Sequence, residues 1–269
     1  MAELSGLLDR DGEQLAWRRV PGDGPTLVWL GGFRSEMSGT KARALADWAS
    51  ETGRAFLRFD YFGHGASSGA FQRGTITRWR ADALAVIDKL TEGPLILIGS
   101  SMGGWLACLA ALSRPERVAG LVLVAPAADF TERLIEPNLS IEARRAIEAD
   151  GVWMRPSAYG SPDPISRDLI EDGRRWSILP GPTPIAAPVT ILQGAADPDV
   201  PWRHALDLAM AIGLDNLIFT LIGDGDHRLS RPGDLARLKA AVIDTVARGG
   251  LGQDGAATAE GVRRSQIDG

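Results

Sequence analysis

The sequence predicts an α/β fold with a mostly parallel central sheet, helices on both faces and a small helical lid. Three observations predict it. Short apolar runs of strand length recur at 26–30, 54–59, 95–98, 118–124, 188–192 and 217–222; helical patterns lie between them; and one long stretch, 127–187, interrupts the alternation. Composition agrees with one large domain: 269 residues, 45% of them hydrophobic, with a formal net charge of -5.

Taken in order, 7–9 and 13–20 flank Asp11-Gly12, a two-residue hairpin signal, and are expected at an antiparallel edge of the sheet. T-L-V-W-L at 26–30 is the first buried strand and runs into Gly31-Gly32-Phe33. A helix over 40–52 follows, apolar at Ala42, Leu45, Ala46, Trp48 and Ala49, with Gly53 as its stop. After the strand at 54–59 comes a turn-rich loop, D-Y-F-G-H-G-A-S-S-G at 60–69, and a helical face at Ile76, Trp79, Ala83, Val86 and Leu90. The strand 95–98 leads into the helix discussed below, and 118–124 is the next strand. The segment 127–187 carries many prolines and a helical pattern at 141–149, and so reads as a lid inserted into a core of 1–126 and 188–248. Its apolar residues, among them Leu134, Ile135, Ile141, Met154, Leu169 and Ile170, are expected to face a pocket and bind an acyl group. Leu235, Leu238, Val242 and Val246 mark a last helix, and the glycine-rich 249–269 is expected to be a disordered tail.

Several function classes are disfavoured. Asp and Glu (34) outnumber Lys and Arg (29), and no basic run is interleaved with aromatics, which argues against nucleic acid as a partner. The single cysteine, Cys108, permits no internal disulfide or CxxC pair and reads as a packing thiol. The acids and the three histidines show no metal-ligand spacing, and no metal or cofactor is expected. No stretch reaches the length of a membrane span and the N-terminus lacks a signal pattern, so the expected location is cytoplasmic. The sequence leaves the oligomeric state open.

Chemistry enters at P-L-I-L-I-G-S-S-M-G-G-W, 94–105. Gly99, Ser101 and Gly103 satisfy G-x-S-x-G, the strand-turn-helix pattern of a nucleophile elbow. A sharp turn crowds the positions two residues either side of its apex, so those must be small. Ser101 meets that condition, whereas Ser100 would be flanked by Ile98 and Met102. A serine nucleophile needs a base and an acid to orient the base. Strand 188–192 ends toward Asp197, and strand 217–222 toward His227, both in loops where ligands meet a parallel sheet. Their rivals are weaker: Asp199 is two positions from Asp197, Asp226 adjoins His227, His64 reads as structural, and His204 is expected on the surface. Asp60 is expected to brace its own loop. Two backbone amides, those of Met102 and Phe33, are candidates for an oxyanion hole.

The motifs at 30–42, 56–69, 99–105, 151–157 and 226–228 (L-G-G-F-R-S-E-M-S-G-T-K-A, F-L-R-F-D-Y-F-G-H-G-A-S-S-G, G-S-S-M-G-G-W, G-V-W-M-R-P-S and D-H-R) resemble the α/β-hydrolases. More narrowly, they are similar to the subgroup of mitochondrial palmitoyl-protein thioesterases that also act as acyl-glucuronide esterases, and to its bacterial relatives. The resemblance spans roughly 25–245. It implies serine hydrolysis of esters or thioesters, of a small-molecule or S-acylated substrate, with Ser101, Asp197 and His227 at the triad positions. Gln193 departs from relatives that often carry His there, and no targeting presequence matches the mitochondrial ones. The alternatives are a hydrolase-fold binding protein of negligible turnover, or another chemistry such as C–C bond hydrolysis.

Overall fold

Asp11 and Gly12, at φ 55° and 79°, turn β1 (Leu4–Arg10) back onto β2 (Glu13–Val20) in antiparallel register, Arg10 opposite Glu13. In this computed structural model, which describes residues 2–157, 162–179 and 181–250, that hairpin is one edge of an eight-stranded sheet. β2 pairs antiparallel with β4 (Arg54–Phe59), and every later pairing is parallel: β4 with β3 (Asp23–Leu30), β3 with β5 (Leu95–Ser100), β5 with β6 (Val118–Val124), β6 with β9 (Val189–Gly194), and β9 with β10 (Leu217–Ile222). All six residues of β5 are buried, as a strand covered on both faces requires.

Helices cover the two faces because each has one apolar stripe. α1 (Thr40–Thr52) buries Ala42, Leu45, Ala46, Trp48 and Ala49, and ends where Gly53 turns left-handed and donates its N–H to the Ala49 carbonyl. With α7 (Pro232–Arg248), which contributes Leu238, Val242 and Val246, it closes one core against Leu27, Ile96, Ile98 and Val122 of the sheet. The opposite core holds α2 (Ile76–Leu90), α3 (Met102–Ser113) and α6 (Trp202–Ile212), with the fully buried Trp79 and Trp105 at its centre.

The strands and helices of the core fall where periodicity places them; the segment 127–187 does not. Sequence pattern marks a helix there at 141–149, found as α4 (Ile141–Asp150). It is joined by a five-residue π turn at Thr131–Ile135, a separate antiparallel hairpin of β7 (Val152–Arg155) and β8 (Asp163–Ser166), and α5 (Arg167–Gly173). Ile147, Ile165, Leu169 and Ile170 pack into the core beneath, while Ile141 and Met154 are exposed. The expectation that its apolar residues line a pocket therefore holds only in part. Helical amphipathicity marks a buried face without saying what buries it.

From 251 onward the glycine-rich tail lies outside the described residues. Among the described residues, no helix is long and apolar enough to cross a membrane.

Candidate active site

Ser101 stands at the turn between β5 and α3 with φ 55° and ψ -122°, a conformation costly for any side-chain-bearing residue. The surroundings enforce it. Ser101 donates its N–H to the Val124 carbonyl (2.9 Å), and its carbonyl accepts from Gly104 (2.9 Å) and Ala127 (3.0 Å). A Cβ on Gly103 would overlap the Leu30 carbonyl oxygen, so α3 packs against the end of β3 only because that position is glycine. Ser100 completes β5 and is buried, whereas Ser101 stands at the apex of the turn and lines the cleft.

Two further loops meet this turn. The loops after β9 and β10 are joined by Ala195 N–H to the Ile222 carbonyl (2.8 Å) and Ala196 N–H to the Gly225 carbonyl (3.0 Å). Asp197 from the first and His227 from the second lie against each other, with His227 Nδ1 2.8 Å from Asp197 Oδ2. The other ring nitrogen, Nε2, is 3.1 Å from Ser101 Oγ. With Nδ1 as donor to the carboxylate, Nε2 carries the lone pair that faces the hydroxyl.

The Asp197 carboxylate is wholly enclosed. Its Oδ1 accepts the N–H groups of Asp199 and Val200, both at 2.9 Å, and its Oδ2 accepts Gln193 Nε2 (3.2 Å) beside His227. Asp199 thus contributes its backbone to the acid. Asp226 Oδ1 accepts the Leu229 N–H (2.9 Å) and shapes the His227 loop. The same loop is tied to α1, where Lys41 donates to the Arg228 carbonyl; burial and the Arg228 charge pull the Lys41 pKa down to about 8.

Met102 opens α3, so its N–H has no carbonyl partner within the helix. Across the cleft Phe33 follows β3, and among the described residues its N–H makes no hydrogen bond. The next residue, Arg34, takes φ 54° and donates its N–H to His64 Nε2 (3.3 Å), while His64 Nδ1 donates to the Phe62 carbonyl (3.1 Å). Burial pushes the His64 pKa down to about 4, so the ring is neutral and able to accept as well as donate. His64 is therefore a loop brace, as its turn suggests. So is Asp60, which accepts from Met37 (2.6 Å) and Ala66 (2.9 Å).

His204 departs from expectation. It is only 7% exposed and hydrogen-bonds the Ala128 carbonyl at 2.7 Å, because it lies on the α6 stripe with Ala205, Leu208 and Ala209. Reading it as a surface residue weighed polarity over helical position. Cys108 is buried on α3 and its thiol is pushed up to about 12 by that burial, which keeps it protonated and inert.

Ser101 and His227 open onto a cleft of about 610 Å³. Met102, Phe130, Leu134 and Ile135 supply its apolar wall, whereas Arg34, Arg155 and Lys41 border it with charge. Arg34 and Arg155 both reach Asp163, at 3.4 and 3.0 Å, which ties the loop after β3 to the β7–β8 hairpin. Asp129, buried just after β6, accepts from Ser177 Oγ (2.6 Å) and from the N–H groups of Ile178 (3.0 Å) and Leu179 (2.9 Å). Sequence reasoning passed over Asp129 and Asp163, which lie in no motif and whose partners at 177–179 and Arg34 are far along the chain; Lys41 and Arg155 had a signal, inside the motifs at 30–42 and 151–157.

Comparison with known proteins gives a consistent result. Residues 26–171 match the family model described as serine aminopeptidase, S33. Palmitoyl-protein thioesterase ABHD10, mitochondrial, from Bos taurus is 36% identical over 245 residues, covering 90% of this chain and 80% of that protein. The Homo sapiens protein of the same name is 35% identical with the same coverage. Among solved structures, a hydrolase from Agrobacterium vitis S4 superposes with a TM-score of 0.87 at 42% identity, covering 91% of this chain and 98% of that one. Mouse α/β hydrolase domain-containing protein 10 gives 0.83 at 35% identity, again over 91% and 98%. The relatives named as mitochondrial lend no support to the cytoplasmic location expected from the sequence.

Proposed function

We propose, on the premise that this chain belongs to the α/β-hydrolase family just matched and is a hydrolase, that it cleaves carboxylic esters or thioesters through an acyl-Ser101 intermediate. The observation that carries the reading is the position of His227, 3.1 Å from Ser101 Oγ and 2.8 Å from Asp197 Oδ2.

In the first half-reaction Ser101 Oγ attacks the acyl carbon as its proton passes to His227 Nε2. The amides of Phe33 and Met102 hold the oxyanion that forms. Asp197 keeps the imidazole in the required tautomer and stabilises its charged form. Collapse breaks the bond to the leaving oxygen or sulfur, which receives the proton from Nε2. Water then attacks the acyl-enzyme, giving a proton to Nε2, and Ser101 departs with that proton as the acid is released. No cofactor takes part.

Residues 127–187 serve in this reading as the roof of the cleft. Its π turn sets Leu134 and Ile135, with Phe130 before them, beside Met102, a wall suited to an alkyl or aryl acyl group. Small-molecule esters and S-acylated thiols both fit that description. The competing reading, a binding protein that keeps the cleft without turnover, is favoured by no feature of the site.

A fluorophosphonate probe tests the proposal directly. It should label the wild-type protein, and Ser101→Ala should lose both labelling and p-nitrophenyl ester turnover, the latter by about 10⁴-fold or more, while melting normally. Retained labelling or near-normal turnover in Ser101→Ala would rule out acyl-Ser101.

A further inference from the structure

Gln193 is the last residue but one of β9, with no exposed surface and no role in the reaction as written above. Its amide nitrogen lies within hydrogen-bond distance of three acceptors: the Gly194 carbonyl (3.1 Å), the Val200 carbonyl (3.0 Å) and Asp197 Oδ2 (3.2 Å). Its amide oxygen, equally buried, has no partner among the described residues. The imbalance fixes the orientation. Rotating the amide by half a turn would set its oxygen against three other oxygens, whereas the observed pose leaves only one acceptor unpaired. A buried side chain held in a pose that strands its own oxygen is held there by what its nitrogen does.

Asp197 Oδ2, which Gln193 contacts, is also the oxygen that receives His227 Nδ1. An ionised carboxylate offers about four acceptor directions, and here four donors fill them: two backbone amides on Oδ1, imidazole and the Gln193 amide on Oδ2. A hydrogen bond to Oδ2 withdraws negative charge that would otherwise serve the imidazolium. It also stops the carboxylate from turning about its Cβ–Cγ bond.

We propose that Gln193 is a positioning residue that acts through Asp197. It anchors Oδ2 opposite His227 and weakens the pull of that oxygen on the imidazole proton. The inference rests on the serine-hydrolase reading for its kinetic effect, and on the geometry alone for the hydrogen bond. An amide carries out this task without titrating, so the brace itself has no pH dependence.

Gln193→Met retains length and unbranched shape but removes the donor. With p-nitrophenyl butyrate as substrate, kcat should fall about tenfold, KM should stay within about twofold, and the acid limb of kcat/KM should move up by about half a pH unit or more. The other charges near the ring are untouched by the substitution: Asp199 on the β9 side, Asp226 and Arg228 within its loop, Lys41 on α1, and the Arg231–Asp234 pair where α7 begins. Gln193→His, which returns a ring N–H donor, should restore kcat to within about threefold. A purely structural role would lower the melting temperature and leave the acid limb in place.

Wild-type protein supplies a readout independent of how these variants fold. The assigned side-chain amide resonances of Gln193 should shift as pH crosses the acid limb, since one oxygen serves both groups. Amide resonances indifferent to that titration, or a folded Gln193→Met with an unmoved limb and kcat within twofold, would overturn the inference. Failure of the hydrolase reading is seen elsewhere, as turnover surviving in Ser101→Ala.

Discussion

The two sides of the cleft are held together in different ways. On the floor, Ser101, Asp197 and His227 follow the parallel strands β5, β9 and β10; backbone hydrogen bonds join the Asp197 and His227 loops to each other and the Ser101 turn to Val124 and Ala127. The segment 127–187, the roof in the proposed reading, is joined to the rest chiefly through side chains, Asp163 to Arg34 and Asp172 to Thr77, whose N–H and hydroxyl it accepts at 2.7 and 2.6 Å, and is braced within itself where Asp129 holds residues 177–179. Backbone geometry fixes atoms to fractions of an ångström, whereas side-chain bridges fix where a segment lies. Substitutions in the floor should therefore act on kcat, and substitutions in the roof on stability and on binding.

The largest expected effect is in the floor. Asp197→Asn should lower kcat by about 10²- to 10⁴-fold through loss of tautomer control, with little change in melting temperature. Asp199→Asn should cost far less, because its contact with Asp197 is through its N–H. Steady-state kinetics on both variants decides the matter, and a greater loss for Asp199→Asn would mean the acid is misassigned.

Breaking the roof should read differently. Asp129→Ala strands the N–H groups of Ile178 and Leu179 and the Ser177 hydroxyl, and should cost about 2 to 4 kcal/mol in urea unfolding. Proteolysis of the native protein should then begin within 127–187. Cleavage starting in the core helices would show that roof and floor are one cooperative unit.

A conditional effect, absent at neutral pH, concerns the loop that carries Phe33. Its brace, His64, is neutral in the folded protein down to about pH 4, whereas in the unfolded chain it takes up a proton near 6.5. Its contribution to stability is thus fully present above about pH 6.5 and is lost as pH falls toward 4, at about 1.4 kcal/mol per pH unit between the two. His204, whose pKa burial also lowers, adds a change of the same sign. Denaturant titrations at pH 7, 5.5 and 4.5 should show a shallower decline for His64→Gln than for the wild type; equal declines would remove His64 from this account.

The contrast between floor and roof also governs what could be read from the sequence. α1, β4 and β6 are found at 40–52, 54–59 and 118–124, because long apolar stripes and buried runs are local patterns. Ser101 is recognisable from the sterics of its own neighbours, and Asp197 and His227 from the strands they follow. β7 and β8, at four residues each, are too short to show a period, although they pair with each other. The roles of Asp129, Gln193 and Asp163 likewise depend on contacts that no local pattern encodes. His204 was legible in principle, since a stripe through Ala205, Leu208 and Ala209 includes it.

The hydrogen bonds that join the loops after β9 and β10 act as a drawstring. Gly194 and Gly225 approach so closely that a Cβ built on Gly225 would stand 2.9 Å from the Gly194 Cα, and Ala195 and Ala196 tie off the same neck. Everything strung between, α6 included, is a closed loop whose mouth is sewn shut below Asp197 and His227. Residues at its far end, around Gly213, can lengthen, shorten or accept a grafted peptide while the distance from acid to base is held at the neck.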